Sequence, residues 1–222
     1  MPRHPANLQS NKKPTAASPR FHLIANHLAV DFCNTVVNPA GPEQALGSWE
    51  DLVDFLETAG VVERARGQQL RELAVTTPES TEAAFRAALA LRGGIREGVE
   101  ALADGRAAPA EAAERVNEIL RLTEGYDRLL WTGEEWRLRF VQRERRLEWL
   151  LAAIARSAAE LFVRGPGAPV RKCANPECIL YFLDTSRTGE RRWCSMAACG
   201  NRHKVAAFTR RQKEKSKGKG KK

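Results

Sequence analysis

Four of the five cysteines lie in the last fifty residues, at Cys173, Cys178, Cys194 and Cys199, spaced C-x4-C-x15-C-x4-C. Two close pairs separated by a short return loop match a tetrahedral metal site, each pair supplying one edge. The pattern predicts one structural Zn2+ held by these four residues. With four thiolates in the shell no coordination position stays open, so the metal is expected to shape the chain rather than catalyse. Two disulfides are the competing expectation, and they require an oxidising compartment. The N-terminal stretch MPRHPANLQSNKKPTAASPR has no apolar signal core, so the expected location is the cytoplasm, where thiols stay reduced. Cys33 stands alone in an apolar run and is expected as a buried thiol rather than a nucleophile. No Ser/His/Asp set, P-loop or dinucleotide fingerprint is present, so the chain is not expected to be an enzyme.

The charge around these cysteines is polarised. The chain carries a net +9, but residues 21–163 hold 16 basic and 23 acidic side chains, whereas residues 164–222 hold 16 basic and four acidic. An acidic body therefore carries a basic C-terminal quarter, the expected contact for an anionic partner. With 43% hydrophobic and 28% charged residues, the composition excludes a wholly disordered chain, and no apolar run is long enough to span a membrane.

The elements that must position the cysteines follow from the hydrophobic pattern. Residues 1–20 lack periodicity and read as a disordered arm. From Phe21 an apolar region begins in which Leu28, Val30 and Phe32 alternate, predicting a strand that runs into a helical turn. Ser48 caps a predicted helix whose stripe is Leu52, Val53, Phe55 and Leu56, stopping at Gly60. Further helices are expected over Glu63–Ala74, from Pro78 with Gly93-Gly94 as a kink or close-packing point, and from Pro109. YDRLLWTGEEWRLRF predicts a hairpin about Thr132-Gly133, and Gln142–Val163 one amphipathic helix. GPG at Gly165–Gly167 marks the expected boundary, with 165–170 as linker, 171–214 as the metal module and 215–222 as a disordered basic tail. Within the module, ILYFLD and RRWCS are expected to pair across the TSRTGE loop. The fold class is thus mainly α with a small β element (α+β), followed by a four-cysteine finger built as a hairpin and a basic helix.

The residues from Cys173 to Arg202 resemble the CGNR zinc finger: the spaced cysteines, Phe182 and Asp184 before the Ser186-Arg187 loop, and RRWCSMAACGNR leading into a basic helix. Upstream, DFCNT at Asp31–Thr35, the SWEDLVDFL helix and the hairpin plus helix at 126–163 resemble the ABATE domain, which precedes this finger in bacterial proteins described as stress-induced transcription regulators. The resemblance to ABATE covers residues 21–164 and that to the CGNR finger residues 171–214. They imply DNA binding by the finger, and the choice of DNA over RNA rests on that description alone.

On helical spacing after Cys199, Gly200 permits close approach and Asn201 is expected to cap. Arg202, Lys204, Arg210, Arg211 and Lys213 are then displayed on the helix, with Ala206, Ala207 and Phe208 partly against the metal module. Arg187, Arg191 and Arg192 are expected to add phosphate contacts from the hairpin. An RNA-binding accessory role rests on Tyr181, Phe182 and Trp193 as stacking residues, although a small module usually needs such side chains for its core. A protein-interaction module is the third reading. The body is expected to sense a small molecule or to form a homodimer, and Asp31 and Asn34, polar within an apolar run, are candidates to line a ligand pocket; hydrogen-bonded capping or turn formation is the competing expectation for both.

Overall fold

The computed structural model describes residues 21, 23–36, 46–142 and 146–219; the expected arm over 1–20 lies outside them. Helix α1 spans Leu28–Cys33, α2 Trp49–Thr58, α3 Arg64–Thr76, α4 Pro78–Ala103 and α5 Ala110–Arg121. Strands β1 (Gly125–Trp131) and β2 (Trp136–Gln142) follow, then a 3-10 turn at Leu147–Leu151 and α6 at Ala152–Val163. Strands β3 (Val170–Lys172) and β4 (Tyr181–Leu183), a π turn at Met196–Gly200 and α7 (Asn201–Lys219) complete the described chain. Among the described residues no helix is long and apolar enough to cross a membrane.

The caps behave as their chemistry dictates. Ser48 accepts from the Asp51 amide to start α2, and Gly60 ends it at φ +69°, a conformation that favours glycine. Pro78 opens α4 at its first helical positions. Helix α4 is the spine of the body, flanked by α1, α2, α3, α5 and α6. It does not kink at Gly93-Gly94 but runs unbroken, and its glycines serve close packing. A Cβ on Gly98 would stand 2.2 Å from Phe162 Cζ, and one on Gly94 2.9 Å from Arg115 Cβ.

Two expected elements differ. Leu28–Phe32 is helix, not strand: α1 is enclosed by α4 and α6 and its residues from Ala29 to Cys33 are all buried. A segment buried on every side has no exposed face to betray its period. Gln142 belongs to β2, paired with Gly125, so α6 begins only at Ala152, after the 3-10 turn that buries Leu150 and Leu151.

The β1–β2 hairpin stands off the body. Leu129 faces Leu138 and Trp131 faces Trp136 across its ladder, and all four side chains are more than half exposed. In the finger, β3 pairs antiparallel with β4, Lys172 opposite Tyr181 and Val170 opposite Leu183. This replaces the expected pairing of ILYFLD with RRWCS. The latter segment forms no strand, because its backbone is taken up elsewhere: the Arg191 amide by Asp184 Oδ2 and the Arg192 carbonyl by the Ala174 amide. Helix α7 continues to Lys219, beyond the start of the expected tail.

Body and finger share one buried apolar cluster, which runs from Phe21 and Phe55 through α4 to Tyr181, Phe182 and the four cysteines. The 165–170 segment is therefore a turn between packed parts, with Ala168 and Val170 both buried.

Candidate metal centre and basic surface

The first cysteine pair sits on the β3–β4 hairpin. Strand β3 delivers Cys173, whose amide donates to the Leu180 carbonyl at 3.0 Å and closes the loop. Inside it Asn175 Oδ1 accepts from the Glu177 amide, and the Asn175 carbonyl accepts from the Cys178 amide at 2.9 Å, turning Cys178 back beside Cys173. The second pair is carried by the π turn. Ser195 Oγ accepts from the Ala198 amide, so Ser195, rather than Asn201, caps this turn; Asn201 lies inside the helical run and donates to the Ala197 carbonyl. The Gly200 amide reaches the Ser195 carbonyl at 3.0 Å, and a Cβ at Gly200 would lie 2.7 Å from Met196 Sδ.

The four sulphurs of Cys173, Cys178, Cys194 and Cys199 lie within 4.8 Å of one another and all four residues are buried. Two edges measure 3.7 Å (Cys178 to Cys194) and 3.6 Å (Cys194 to Cys199). A Zn–S bond of about 2.3 Å gives a tetrahedral edge of about 3.8 Å, close to both measured edges, so the donor set fits zinc. None of the four is in a disulfide. The Cys194 amide donates to Cys173 Sγ at 3.4 Å and Asn175 Nδ2 to Cys199 Sγ at 3.5 Å, bonds that favour thiolate. Hydrogen bonds from the Cys178 and Cys194 thiols lower the Cys173 pKa, and zinc binding displaces the protons that the four thiols still carry. Cys33, in contrast, is fully buried in the body, where desolvation pushes its thiol up to about 12; it is a core residue.

Asp184 organises the loop between the pairs. Its Oδ1 accepts from the Ser186 amide at 3.0 Å and from the Ser186 hydroxyl, and its Oδ2 takes the Arg191 amide and an ion pair to Arg171 at 3.1 Å. The Ser186 bond is the chief reason its carboxyl stays below the usual range. Arg191, a half-buried residue expected on the phosphate surface, latches the finger to the body. Its guanidinium stacks 4.2 Å from the Phe182 ring centroid and donates to the carbonyls of Trp193, Cys194 and, in the body, Ile24.

Asp31 and Asn34 do not line the cavity of about 440 Å³ beside Leu102, Pro166 and Arg192. Asp31 Oδ1 accepts from the amides of Ile24 and Ala25 at 2.8 and 2.9 Å. Asn34 pairs with β4 through both ends of its amide, donating to the Tyr181 carbonyl at 2.8 Å and accepting from the Tyr181 amide at 3.0 Å. Its side chain does what a neighbouring strand would do. Ala25 accepts from the Leu183 amide, and Arg96 donates to the Ile179 carbonyl while lying 4.7 Å from the Tyr181 ring centroid. The DFCNT segment is thus the joint on which the finger is seated. Nothing local in the sequence reveals this, because Asn34 and Tyr181 are 147 positions apart.

The remaining expected cations are displayed. Arg187, Arg192, Arg202, Lys204, Arg210 and Arg211 are exposed; the side chain of Lys213 lies outside the described residues. Arg192 lies over the Trp193 ring, whose other neighbour is the His203 ring at 4.7 Å. Phe208 and Val205 are more than half exposed, so α7 packs on the finger only near its origin, against the π turn. Tyr181 and Phe182 are core residues.

A mainly helical body that seats a closed four-cysteine centre, with a basic helix leaving that centre, defines a zinc-finger protein. The family described as "ABATE: Putative stress-induced transcription regulator" matches residues 26–165, and the CGNR zinc finger matches residues 170–212. The chain belongs to the ABATE family, and its CGNR finger holds one structural zinc ion. No curated protein matches the chain.

Proposed function

We propose that the protein regulates transcription by binding DNA through its finger, with α7 entering a groove and Arg187 and Arg192 gripping phosphate beside it. The observation that carries this reading is the free-standing α7, fixed at its origin by the zinc centre and presenting Arg202, Lys204, Arg210 and Arg211 to solvent. Lys204 and Arg211 are seven residues apart and share one face, the arrangement of a helix that reads one side of a groove. The RNA alternative has less support, since Tyr181 and Phe182 are enclosed in the core and Trp193 is already stacked by Arg192 and His203.

Selection of bound sequences from DNA and RNA pools by the zinc-loaded chain tests this. A preferred duplex site is expected, and enrichment of RNA alone, or of no sequence, overturns it. Arg187→Ala and Arg192→Ala are each expected to weaken binding about evenly across sequences and to lower the salt slope by about 1, the signature of a lost phosphate contact.

The body's part in this reading is dimerisation through the β1–β2 hairpin. A two-stranded ribbon alone is marginal in water, and the exposed Leu129–Leu138 and Trp131–Trp136 pairs form an apolar strip that a second copy can cover isologously, setting two fingers on two half-sites. Sedimentation should show a dimer that Trp131→Ser with Trp136→Ser converts to monomer; a monomeric parent chain removes this part.

A further inference from the structure

Body and finger together enclose an open cavity of about 440 Å³, within the size range of small-molecule sites. Its apolar wall is formed by Leu102 at the end of α4, by Pro166 in the turn between the two parts and by Val170 on β3. Its opposite rim is cationic, and among the described residues no Asp or Glu lines it. Four cations reach the cavity, and two of them are already engaged. Arg171 is held by Asp184 and by the Gly189 carbonyl, and Arg191 by the carbonyls of Ile24, Trp193 and Cys194. Lys172 and Arg192 have no carboxylate or carbonyl partner among the described residues; Arg192 only stacks on Trp193.

Uncompensated cations on a concave wall concentrate positive potential there. The other wall has the opposite sense, since α4 ends at it and a helix C-terminus carries partial negative charge. The Leu102 and Ala101 carbonyls are also already capped, by the amides of Gly105 and Arg106. The cavity is therefore polar in a fixed direction, with an anion favoured beside Lys172 and Arg192 and uncharged apolar matter against Leu102, Pro166 and Val170.

We propose that this cavity binds a small organic anion, its phosphate or carboxylate head at the Lys172–Arg192 rim and its apolar body on the α4 side. Because the walls come from α4, β3 and the Arg191–Arg192 segment, the occupant touches body and finger at once.

The test is titration of the zinc-loaded full chain, followed by amide NMR, with phenyl phosphate, inorganic phosphate, benzyl alcohol and a short oligothymidylate as probes. Phenyl phosphate is expected to shift the amides of Ala103, Gly105 and Arg171 saturably, inorganic phosphate more weakly, and benzyl alcohol not at all. Lys172→Gln and Arg192→Gln should each weaken phenyl phosphate about tenfold, the size of one charge-assisted contact. Pro166→Glu, an exposed position in neither the core nor the zinc centre, should do the same by repulsion. Unchanged zinc content and dispersed spectra keep misfolding apart from lost binding. The proposal fails if these amides do not move, if the three variants bind as the parent does, or if inorganic phosphate binds as tightly as phenyl phosphate. It also fails if oligothymidylate alone shifts them, since the cavity would then be a stretch of the nucleic-acid track.

Discussion

Asp31 carries a buried carboxylate that accepts from backbone amides, Oδ1 from those of Ile24 and Ala25. Desolvation outweighs these bonds and raises its pKa to about 6. The folded protein therefore binds a proton more readily than the unfolded chain between about pH 4 and pH 6, and stability falls as pH rises through that window. Asp31→Asn keeps an acceptor for both amides and cannot ionise, so it should remove this slope, measured as the difference between parent and variant urea-unfolding free energies across pH. The difference cancels His27, whose lowered pKa, caused mainly by burial, acts in the opposite direction. A variant curve parallel to the parent's would contradict the assignment. Asp31, Asn34 and Arg191 also show how far residue types were legible. The sequence marks them as polar groups among apolar or basic neighbours, which suits a pocket or a phosphate contact. Their partners are backbone groups, distant in sequence for Asn34 and for the Arg191 bond to Ile24, and side-chain type alone cannot name those. The cysteines were legible because metal binding constrains spacing as well as type.

Among elements, those with local punctuation were readable: Ser48 and Gly60 around α2, Pro78 at α4, Thr132-Gly133 between β1 and β2. Helix α1 and the β3–β4 pair were not. The first is buried all round, and the second is two three-residue strands whose register is set by the cysteine loop rather than by alternation. Helix α4 gives a sharp test of packing. Gly98→Ala gains helix propensity of about 1 kcal/mol but drives a methyl group into the Phe162 ring. Overpacking of this kind costs about 1–3 kcal/mol, so the variant should be less stable by up to about 2 kcal/mol in denaturant unfolding, with a stabilised protein as the disproof. Gly98→Ala combined with Phe162→Leu should recover part of the loss.

For the whole molecule, the continuous core and the joint at Asn34 mean that the metal does not serve the finger alone. Removing zinc with a chelator, or Cys199→Ser, frees the π turn and the hairpin that present Tyr181, Phe182 and Leu183 to the body. The expected result is one cooperative thermal transition at lower temperature, with body signals such as Trp49 fluorescence moving together with finger signals. An unchanged body transition would show the two parts to be energetically independent. Zinc affinity should also weaken as pH falls, because every ligand must lose its proton to bind.

The long-range bonds of the joint carry a last consequence, for synthesis. Asn34 and Ile24 are translated 147 and 167 residues ahead of Tyr181 and Arg191, the groups that engage them. Since domains fold as they emerge from the ribosome, the growing chain must complete its body with these polar groups still hydrated, and the finger then docks against a finished surface. Metal capture becomes the closing act of biosynthesis, so a chain released early lacks the anchored origin from which α7 leaves the centre.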